Sequence, residues 1–519
     1  MLTELVMAAV VHSSSLPTVA DNRAQWSARR RDWRNGAVVY QVFVDRFVPP
    51  ADAATKAGRY PAPLKPWTEL PKARFDAATN SYPHVYDFWG GDLAGVQSKL
   101  DYVRGLGVDV LYLNPIFTSP TNHKYDTTDY FEIDPQYGTA ADFRRLLDAT
   151  HGAGMKLMLD GVFNHVGDQN RLFTEARRDP KSARRDWFFF DSPTSDRYRG
   201  WAGVTTMPGI RLENAAARRY FWGGKESVVN RYLADGVDGW RLDVAFELGP
   251  KFLRELTESA HRTRPGSAVV GEISGYPAEW AGSVDGVFNF HSINMAIEML
   301  NGNVSGGRFG QMQADLVEDA GIEFLLQSWL ITDNHDTPRF ASVVKDAETR
   351  HLVRLLQFTL PGSPCLYYGS ELGLAGAGDP ECRAPMPWER VRDDTRDLVS
   401  LRQLSGIRRK LPALRIGDYR RLATDRLLAF ARTTDRLEET VFVAVNPTSE
   451  TVTETVASRV GRVMSWGELR NVVTGEKIRS ITGMITLKLP PRSAAIYVPS
   501  VDPFGGYSPY QRILDTDGE

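Results

Sequence analysis

The chain has 519 residues, 42% of them hydrophobic, and its 62 basic and 64 acidic residues leave a formal charge of −2. A chain of this size can build two or three domains with full cores, and the balanced charge argues against nucleic acid as a main partner. Cys365 and Cys382 are too few for a disulfide framework, and their spacing suggests no zinc site. No apolar run is long enough to span a membrane, so no membrane partner is predicted.

The N-terminal residues 1–34 are predicted to be a separate segment, either a tail or a single helix. Leu5 to Val11 form an apolar patch without a basic region before it, which favours a plain N-terminal segment over a signal peptide. The low cysteine content is compatible with a reducing cytoplasm, so we predict a cytoplasmic location, with secretion as the alternative.

Eight short apolar runs alternate with helical patterns in the next part of the chain and predict an α/β fold, a (β/α)8 TIM barrel. The runs begin at Val38, Val108, Lys156, Gly239, Ala268, Val284, Ser328 and Pro364. One of the predicted helices extends from Gly91 to Gly107. An open doubly wound sheet is the alternative, but the chain lacks the glycine-rich phosphate loop of such folds. The predicted barrel occupies residues 35–160 and 223–411.

Two regions depart from the barrel rhythm. Residues 161–222 are polar, aromatic and rich in turns, which indicates a small domain inserted after the third strand. Beyond residue 412 short alternating or apolar runs are separated by turns, which predicts an antiparallel β-sandwich over residues 412–500. Residues 501–519 are predicted to be a tail.

Acidic residues follow several of the predicted strands, at the end of a barrel where catalysis takes place. These acids are Asp160, Asp243, Glu272 and Asp336. Crowding like charges on one rim is costly as a stability device, so a functional site is the better explanation. Retaining cleavage of a glycosidic bond needs one carboxylate as nucleophile and one carboxylic acid as proton donor, about 5–5.5 Å apart.

The surroundings of each acid suggest its role. Arg241 points to the same side of its strand as Asp243 and is expected to keep the pKa of Asp243 low, which suits the nucleophile. Other acids around Glu272 are expected to raise its pKa, which suits the acid/base. We predict that Asp336 holds sugar hydroxyls, although it could instead cap a helix. Asp160 is predicted to support the site from behind.

Two histidines follow the same strand ends. His165 and His335 can donate hydrogen bonds to sugar hydroxyls, and we predict that they do so. Either histidine could instead be a satisfied core residue. Arg241 is counted with them among the residues around the substrate.

These residues carry a resemblance to a known family. Asp160-Gly-Val-Phe-Asn-His165, Gly239-Trp-Arg-Leu-Asp243, Gly271-Glu-Ile273 and Asn334-His-Asp336 resemble, in order, the four signature regions of the α-amylase family of glycoside hydrolases. The resemblance covers roughly residues 36 to 500. It implies a barrel with an inserted B domain, a C-terminal sandwich and a retaining mechanism on α-glucosidic bonds. Asn164, inside the first region, is assigned a structural role beside Asp160.

A finer resemblance points to the neopullulanase, cyclomaltodextrinase and maltogenic amylase group. It rests on Phe88-Trp-Gly-Gly-Asp92, Ser119 to Tyr130, Met207-Pro208 and Asp379 to Met386. It implies that Tyr125 stacks under the sugar next to the cleaved bond, with His123 nearby. It further implies that Asp379 and Arg383 hold the next glucose and that Arg339 lines the same pocket. The implied partners are maltodextrins, cyclodextrins and starch.

The chain departs from that group at several places. Only about 34 residues precede the first strand, where the group carries a sandwich domain that helps to form a dimer, so we predict a monomer. The group usually has Trp after Gly-Glu-Ile, where this chain has Ser274, which leaves binding on the leaving-group side open. The calcium stretch expected after Asp45-Arg46-Phe47 is poor in oxygen ligands, and Asp92 with the Gly90 carbonyl would not make a site.

A second possible calcium ligand is Asn164, which resembles one in ordinary α-amylases. However, the Lys-His pair that those enzymes carry after the nucleophile is Phe246-Glu247 here. We therefore predict that no cofactor is required, with calcium as the alternative.

The sequence thus predicts an α-1,4-glucan hydrolase that releases mainly maltose, with some α-1,6 cleavage and transglycosylation. A transferase or isomerase acting on sucrose, trehalose or maltose would use the same catalytic residues and stays as the alternative. A non-catalytic glucan-binding relative is the third hypothesis, and the intact Asp243, Glu272 and Asp336 argue against it.

Overall fold

A computed structural model describes residues 19–77, 82–501 and Tyr510. Most of the predicted tail 501–519 and the apolar patch Leu5 to Val11 lie outside the described residues. Within the described ranges, every helix is too short or too polar to cross a bilayer.

Strands and helices alternate through the first four-fifths of the described chain, and strands alone follow. The strands are β1 (Val39–Val42), β2 (Val110–Leu113), β3 (Phe117–Thr118), β4 (Asp129–Ile133), β5 (Lys156–Gly161), β6 (Gly239–Leu242), β7 (Ala268–Gly271), β8 (Gly286–Asn289), β9 (Trp329–Ile331), β10 (Ser363–Tyr367), β11 (Asp418–Arg421), β12 (Leu428–Thr433), β13 (Val441–Asn446), β14 (Val452–Ala457), β15 (Glu468–Asn471), β16 (Lys477–Ile481), β17 (Met484–Leu489) and β18 (Ser493–Pro499). The helices are α1 (Val19–Arg31), α2 (Ala53–Lys56), α3 (Leu93–Ser98), α4 (Leu100–Gly105), α5 (Ala140–Gly152), α6 (Arg171–Arg178), α7 (Ala215–Arg218), α8 (Val228–Ala234), α9 (Ala245–Thr263), α10 (Phe290–Leu300), α11 (Gly306–Ala320), α12 (Ile322–Gln327), α13 (Phe340–Val343), α14 (Ala347–Thr359), α15 (Arg396–Lys410) and α16 (Pro412–Ile416).

Eight parallel strands of the described chain close into a barrel in the order β1-β10-β9-β8-β7-β6-β5-β2. This confirms the predicted (β/α)8 fold, because each predicted apolar run overlaps one of these strands. β1, β2 and β6 are buried along their whole length, as expected for a parallel sheet whose outer face is covered by helices. The single helix predicted over Gly91 to Gly107 is wrong, since Lys99, with φ −111° and ψ 9°, divides it into α3 and α4.

The barrel interior is layered because the register aligns inward-facing positions of neighbouring strands. Val39 and Met158 belong to an apolar cluster that fills one layer. Two residues further along each strand, Gln41, Asp160 and Arg241 form a buried polar layer. Asp160 and Arg241 are register partners across β5 and β6. The polar layer therefore rests on an apolar one and faces the carboxyl ends of the strands.

Two structures extend from that end of the barrel. The antiparallel pair β3 and β4 closes the loop that contains His123 and Tyr125. In the predicted insertion, residues 161–222, the chain leaves β5 after Gly161 and forms α6, α7 and isolated bridges such as His165 to Gly209. Both structures stand over the polar layer, so they form walls around it.

The C-terminal part is an antiparallel sheet with the strand order β11-β12-β13-β18-β15-β16-β17-β14. Its outer strands fold over its first strands, and a second hydrophobic core fills the space between the two layers. That core includes Ala429 and Phe442 of β12 and β13, and Val456 and Leu487, which alternate with exposed residues along β14 and β17. The antiparallel C-terminal fold predicted from the sequence is confirmed.

Candidate active site

A cavity of about 580 Å³ opens at the carboxyl end of the barrel, directly over the polar layer. This volume lies within the range of small-molecule sites. Nine residues predicted for the site line it: His123, Tyr125, His165, Asp243, Glu272, His335, Asp336, Asp379 and Arg383.

One buried guanidinium holds the carboxylates at the floor of the cavity. Arg241 Nη1 donates to Asp160 Oδ1 at 2.8 Å and to Asp243 Oδ1 at 3.0 Å. Its Nη2 lies 2.8 Å from Oε1 of Glu272. Asp243 and Glu272 are therefore tied to adjacent nitrogens of the same side chain, which keeps the two carboxyl groups close to each other. Such close spacing favours the retaining geometry over the inverting one.

Asp160 lies behind this arrangement, where the sequence placed it. Its Oδ2 accepts hydrogen bonds from the hydroxyls of Tyr112 at 2.6 Å and Tyr125 at 2.7 Å. The carboxylate is fully buried and does not line the described part of the cavity. Asp160 thus orients both Arg241 and the Tyr125 ring.

The backbone turns sharply after Asp243. Val244 has φ 45° and ψ 41°, a left-handed conformation that is strained for a β-branched residue. In this conformation the Val244 N–H donates to Glu272 Oε2 at 2.9 Å. The strained turn therefore fixes Glu272 relative to Asp243.

Burial governs the protonation of this cluster. Burial raises the pKa of Glu272, and the Asp336 carboxylate adds to the effect while Arg241 opposes it. The pKa of Asp243 is also raised by burial, well above its usual range, with Glu272 and Asp160 reinforcing the shift. The prediction that Arg241 keeps the pKa of Asp243 low is therefore wrong, because its effect is smaller than that of burial. Three carboxylates share one cation, so their mutual repulsion and their burial both favour the protonated forms of Asp243 and Glu272.

His335 is held as a specific tautomer. Gln41 Nε2 donates to Nδ1 of His335 at 3.0 Å and to Oδ1 of Asn114 at 3.1 Å. Burial lowers the pKa of His335 well below its usual range, so the ring is neutral. Because Nδ1 accepts, the proton is on Nε2, which lies 3.1 Å from Asp336 Oδ2. The histidine is thereby prepared to donate a hydrogen bond at the cavity.

Aromatic rings form the walls next to the acids. The Tyr125 ring is parallel to that of His335, with centroids 5.2 Å apart. His123 Nδ1 accepts from the Tyr125 N–H at 3.1 Å, and burial lowers the pKa of His123 to about 3. His165 stacks on Trp201 at 5.4 Å, and neither of its ring nitrogens has a partner among the described residues. These rings offer apolar faces and unused polar atoms, as a sugar requires.

Three charged residues, Arg383 with Asp336 and Asp379, line another side of the cavity. Arg383 donates from Nη2 to Asp336 Oδ1 at 3.0 Å, and its Nη1 pairs with Asp379 Oδ1 at 2.9 Å. Its Nε donates to the His335 carbonyl at 2.8 Å. Asp336 keeps 46% of its side chain exposed, so it remains accessible to a ligand.

Four predicted residues lie outside the described lining of the cavity: Asp160, described above, and Arg339, Arg241 and Asn164. The prediction that Arg339 lines the pocket is not met, because Arg339 is fully buried, donates to the carbonyls of Cys382 and Tyr368, and stacks on a tyrosine. Arg241 was predicted among the substrate-binding residues, but it lies beneath the cavity, where carboxylates surround its guanidinium. Asn164 donates to Glu247 Oε2 at 2.7 Å beside a neighbouring cavity of about 360 Å³.

Sequence reasoning missed several residues of the site. Gln41 and Asn114 connect His335 to the Tyr125 hydroxyl, which donates to Asp160. Tyr112 donates to the same carboxylate, while Trp201 and Phe246 line the cavity. The available signal was a glutamine inside an otherwise apolar barrel strand, because a buried amide needs partners. No comparable signal marked the aromatic residues.

The match to a family model decides the assignment. A model described as the alpha amylase catalytic domain matches residues 41–403, well over half of the chain. The chain belongs to the alpha-amylase family. The matched range contains the described cavity lining and the polar layer beneath it, so the family resemblance and the site coincide.

Two relatives from this family and one solved structure are similar to the protein over most of its chain. Neopullulanase 2 of Thermoactinomyces vulgaris is 35% identical over 90% of this chain and 78% of its own length. Cyclomaltodextrinase of Geobacillus thermopakistaniensis (strain MAS1) is 32% identical over 90% of the chain and 77% of its own. Among solved structures, ligand-free cyclic alpha-maltosyl-(1→6)-maltose hydrolase from Arthrobacter globiformis has a TM-score of 0.75 and 28% identity, covering 90% of this chain and 99% of that one.

Proposed function

We propose that the protein is a retaining hydrolase of α-1,4-glucosidic bonds in maltodextrins, starch and cyclodextrins that releases mainly maltose, with some α-1,6 cleavage and transglycosylation. The observation that carries the proposal is the pairing of Asp243 and Glu272 on one guanidinium, at the floor of a cavity rimmed by Asp336. The relatives named neopullulanase and cyclomaltodextrinase support the substrate class.

The chemistry follows from these positions. The Asp243 carboxylate attacks the anomeric carbon while the carboxylic acid of Glu272 gives its proton to the departing glycosidic oxygen. The bond to that oxygen breaks and a covalent glycosyl–Asp243 ester forms. Glu272, now a carboxylate, takes a proton from water, whose oxygen attacks the same carbon and releases Asp243. The raised pKa of Glu272 suits the first step, since the group must be protonated there.

The walls supply binding and orientation. Tyr125 offers a ring face under the sugar, and His335 donates from Nε2 to a hydroxyl beside Asp336. Arg383 and Asp379 hold the next glucose unit on the non-reducing side. Hydrogen bonds that strengthen as the ring distorts stabilise the transition state more than the ground state.

A second candidate is cleavage of cyclic substrates that contain α-1,6 bonds. It is favoured by the Arthrobacter globiformis enzyme, 99% of whose chain is covered here, whereas 78% of neopullulanase 2 is covered. The two candidates share the catalytic groups and differ in the shape of the substrate that the walls admit.

A product time course separates these candidates. β-Cyclodextrin, soluble starch, pullulan and cyclic α-maltosyl-(1→6)-maltose are incubated in parallel, with the Asp243→Asn variant as the inactive control. Maltose accumulating from cyclodextrin faster than from starch supports the first proposal. Preferential opening of the α-1,6-containing ring supports the second, and no hydrolysis of any substrate brings the transferase hypothesis forward. Turnover at the normal rate by Asp243→Asn would overturn the nucleophile assignment.

The finer expectations about the molecule stay proposals. We propose a monomer, to be checked by light scattering during size-exclusion chromatography. A cytoplasmic location is proposed on the low cysteine content alone, and fractionation of the producing cells would test it.

A further inference from the structure

The segment after Asp45-Arg46-Phe47 contains a buried ammonium group. Lys56 ends α2, and only 7% of the residue is exposed. Its Nζ donates to the Gly90 carbonyl at 2.8 Å and to Asp92 Oδ2 at 2.6 Å. These two oxygens are the ligands that remain from the calcium site implied by the family resemblance.

The other groups of this segment are already engaged. Asp92 Oδ1 accepts from the Gly95 N–H at 2.7 Å and caps α3. The Gly90 N–H donates to Asp45 Oδ1 at 2.9 Å, and Asp45 pairs with Arg46. The oxygen atoms that could bind a metal ion here already accept hydrogen bonds or form ion pairs within the protein.

The residues present do not fit calcium. Calcium takes six to eight oxygens at about 2.3–2.6 Å, whereas two oxygens converge here within the described residues. An ion bound to those two oxygens would overlap the position of the Lys56 ammonium, and two cations would repel each other. The ammonium already neutralises Asp92 and satisfies the carbonyl.

We propose that the Lys56 ammonium is a built-in cation that replaces calcium at this position and joins α2 to the start of α3. The consequence reaches the cavity, because Arg46 donates to the Arg383 carbonyl at 2.9 Å. The segment that Lys56 anchors therefore supports the backbone that presents Arg383. This inference does not depend on which glucan the enzyme cleaves.

The test measures thermal unfolding of the full chain, after dialysis against EDTA and again with calcium added. The unaltered chain is expected to unfold at the same temperature in both conditions. Lys56→Met keeps the apolar stem without the charge and should lower the midpoint by about 2–4 °C or more. Lys477→Met is the matched control, because Lys477 forms an exposed pair with Glu468 at 2.9 Å; it should change little.

Two outcomes would overturn the proposal. One is a higher unfolding temperature of the unaltered chain in calcium than in EDTA, or stoichiometric calcium in the purified protein by elemental analysis. The other is an equal midpoint for Lys56→Met and Lys477→Met. If Lys56→Met does not fold, Lys56→Arg, which keeps a cation, replaces it and should retain most of the stability. The calcium measurements on the unaltered chain decide the proposal in either case.

Discussion

Lys124 provides the strongest test of how the cavity wall is held. Its side chain is completely buried, and Nζ lies 2.7 Å from Asp134 Oδ2 while donating to the Ser119 carbonyl at 3.1 Å and Gln136 Oε1 at 2.5 Å. Its backbone has φ 66°, and its neighbours His123 and Tyr125 face the cavity. The Lys124→Met substitution removes the charge and leaves the backbone requirement unchanged.

The expected loss follows from the carboxylate that remains. Removing one partner of a buried ion pair costs about 3–5 kcal/mol, because the other charge stays buried. Asp134 still accepts from the N–H groups of Ser119 at 3.0 Å and Gln136 at 2.8 Å, so we expect the lower end, about 3 kcal/mol. A loosened loop should also lower kcat/KM on maltodextrins.

Equilibrium urea unfolding followed by tryptophan fluorescence measures the loss, with kinetics on the same preparations. Lys477→Met is the control, since exposed pairs contribute about 0–1 kcal/mol. A Lys124→Met loss as small as that of the control would refute the reasoning. The expected loss of about 3 kcal/mol together with an unchanged kcat/KM would refute the claim that Lys124 positions Tyr125.

Three further predictions concern other parts of the site and fold. Arg339→Met should lower the midpoint temperature of unfolding without changing KM for maltodextrins. A raised KM with an unchanged midpoint would instead indicate that Arg339 contacts the substrate. His261 has its pKa raised by the hydrogen bond to Asp285, so the pair stabilises the fold below about pH 6.5 and loses that contribution as pH rises. The difference in unfolding free energy between the unaltered chain and His261→Gln should therefore be larger at about pH 5.5 than at about pH 8.5, and equal differences would contradict it. Asp160→Asn removes a negative charge that raises the pKa of Glu272. The alkaline limb of the profile of kcat/KM against pH should therefore move to lower pH. A shift to higher pH would argue against an electrostatic effect of Asp160 on Glu272.

The barrel could be predicted because its evidence is local. Each barrel strand is a short apolar run, and polar residues that follow such runs meet at one end of a barrel. Asp243, Glu272 and Asp336 are predicted in this way, and the structure places all three in the lining of one cavity. The family signatures gave His123 and Tyr125, which lie on a loop between strands.

The features that could not be predicted from the sequence depend on contacts between distant segments of the chain. Gln41 meets His335 across 294 positions of the chain, and nothing near Gln41 indicates that partner. Arg339 and Arg383 are both buried arginines close to the site, but Arg339 donates to the carbonyls of Cys382 and Tyr368 instead of lining the cavity. The short pair β3 and β4 was missed because β3 has two residues, too few for an alternating pattern.

The incorrect pKa expectation for Asp243 shows how the site works as a unit. Considered alone, Arg241 would ionise its neighbour, but the same guanidinium also pairs with Asp160 and Glu272. One cation cannot neutralise three buried carboxylates, and together with burial the excess negative charge raises the pKa of both Asp243 and Glu272. A glycosidase needs one protonated carboxyl group to give a proton to the leaving oxygen. The shortage of positive charge beneath the cavity is therefore the feature that prepares Glu272 as an acid, while Arg241 orients Asp243 for attack.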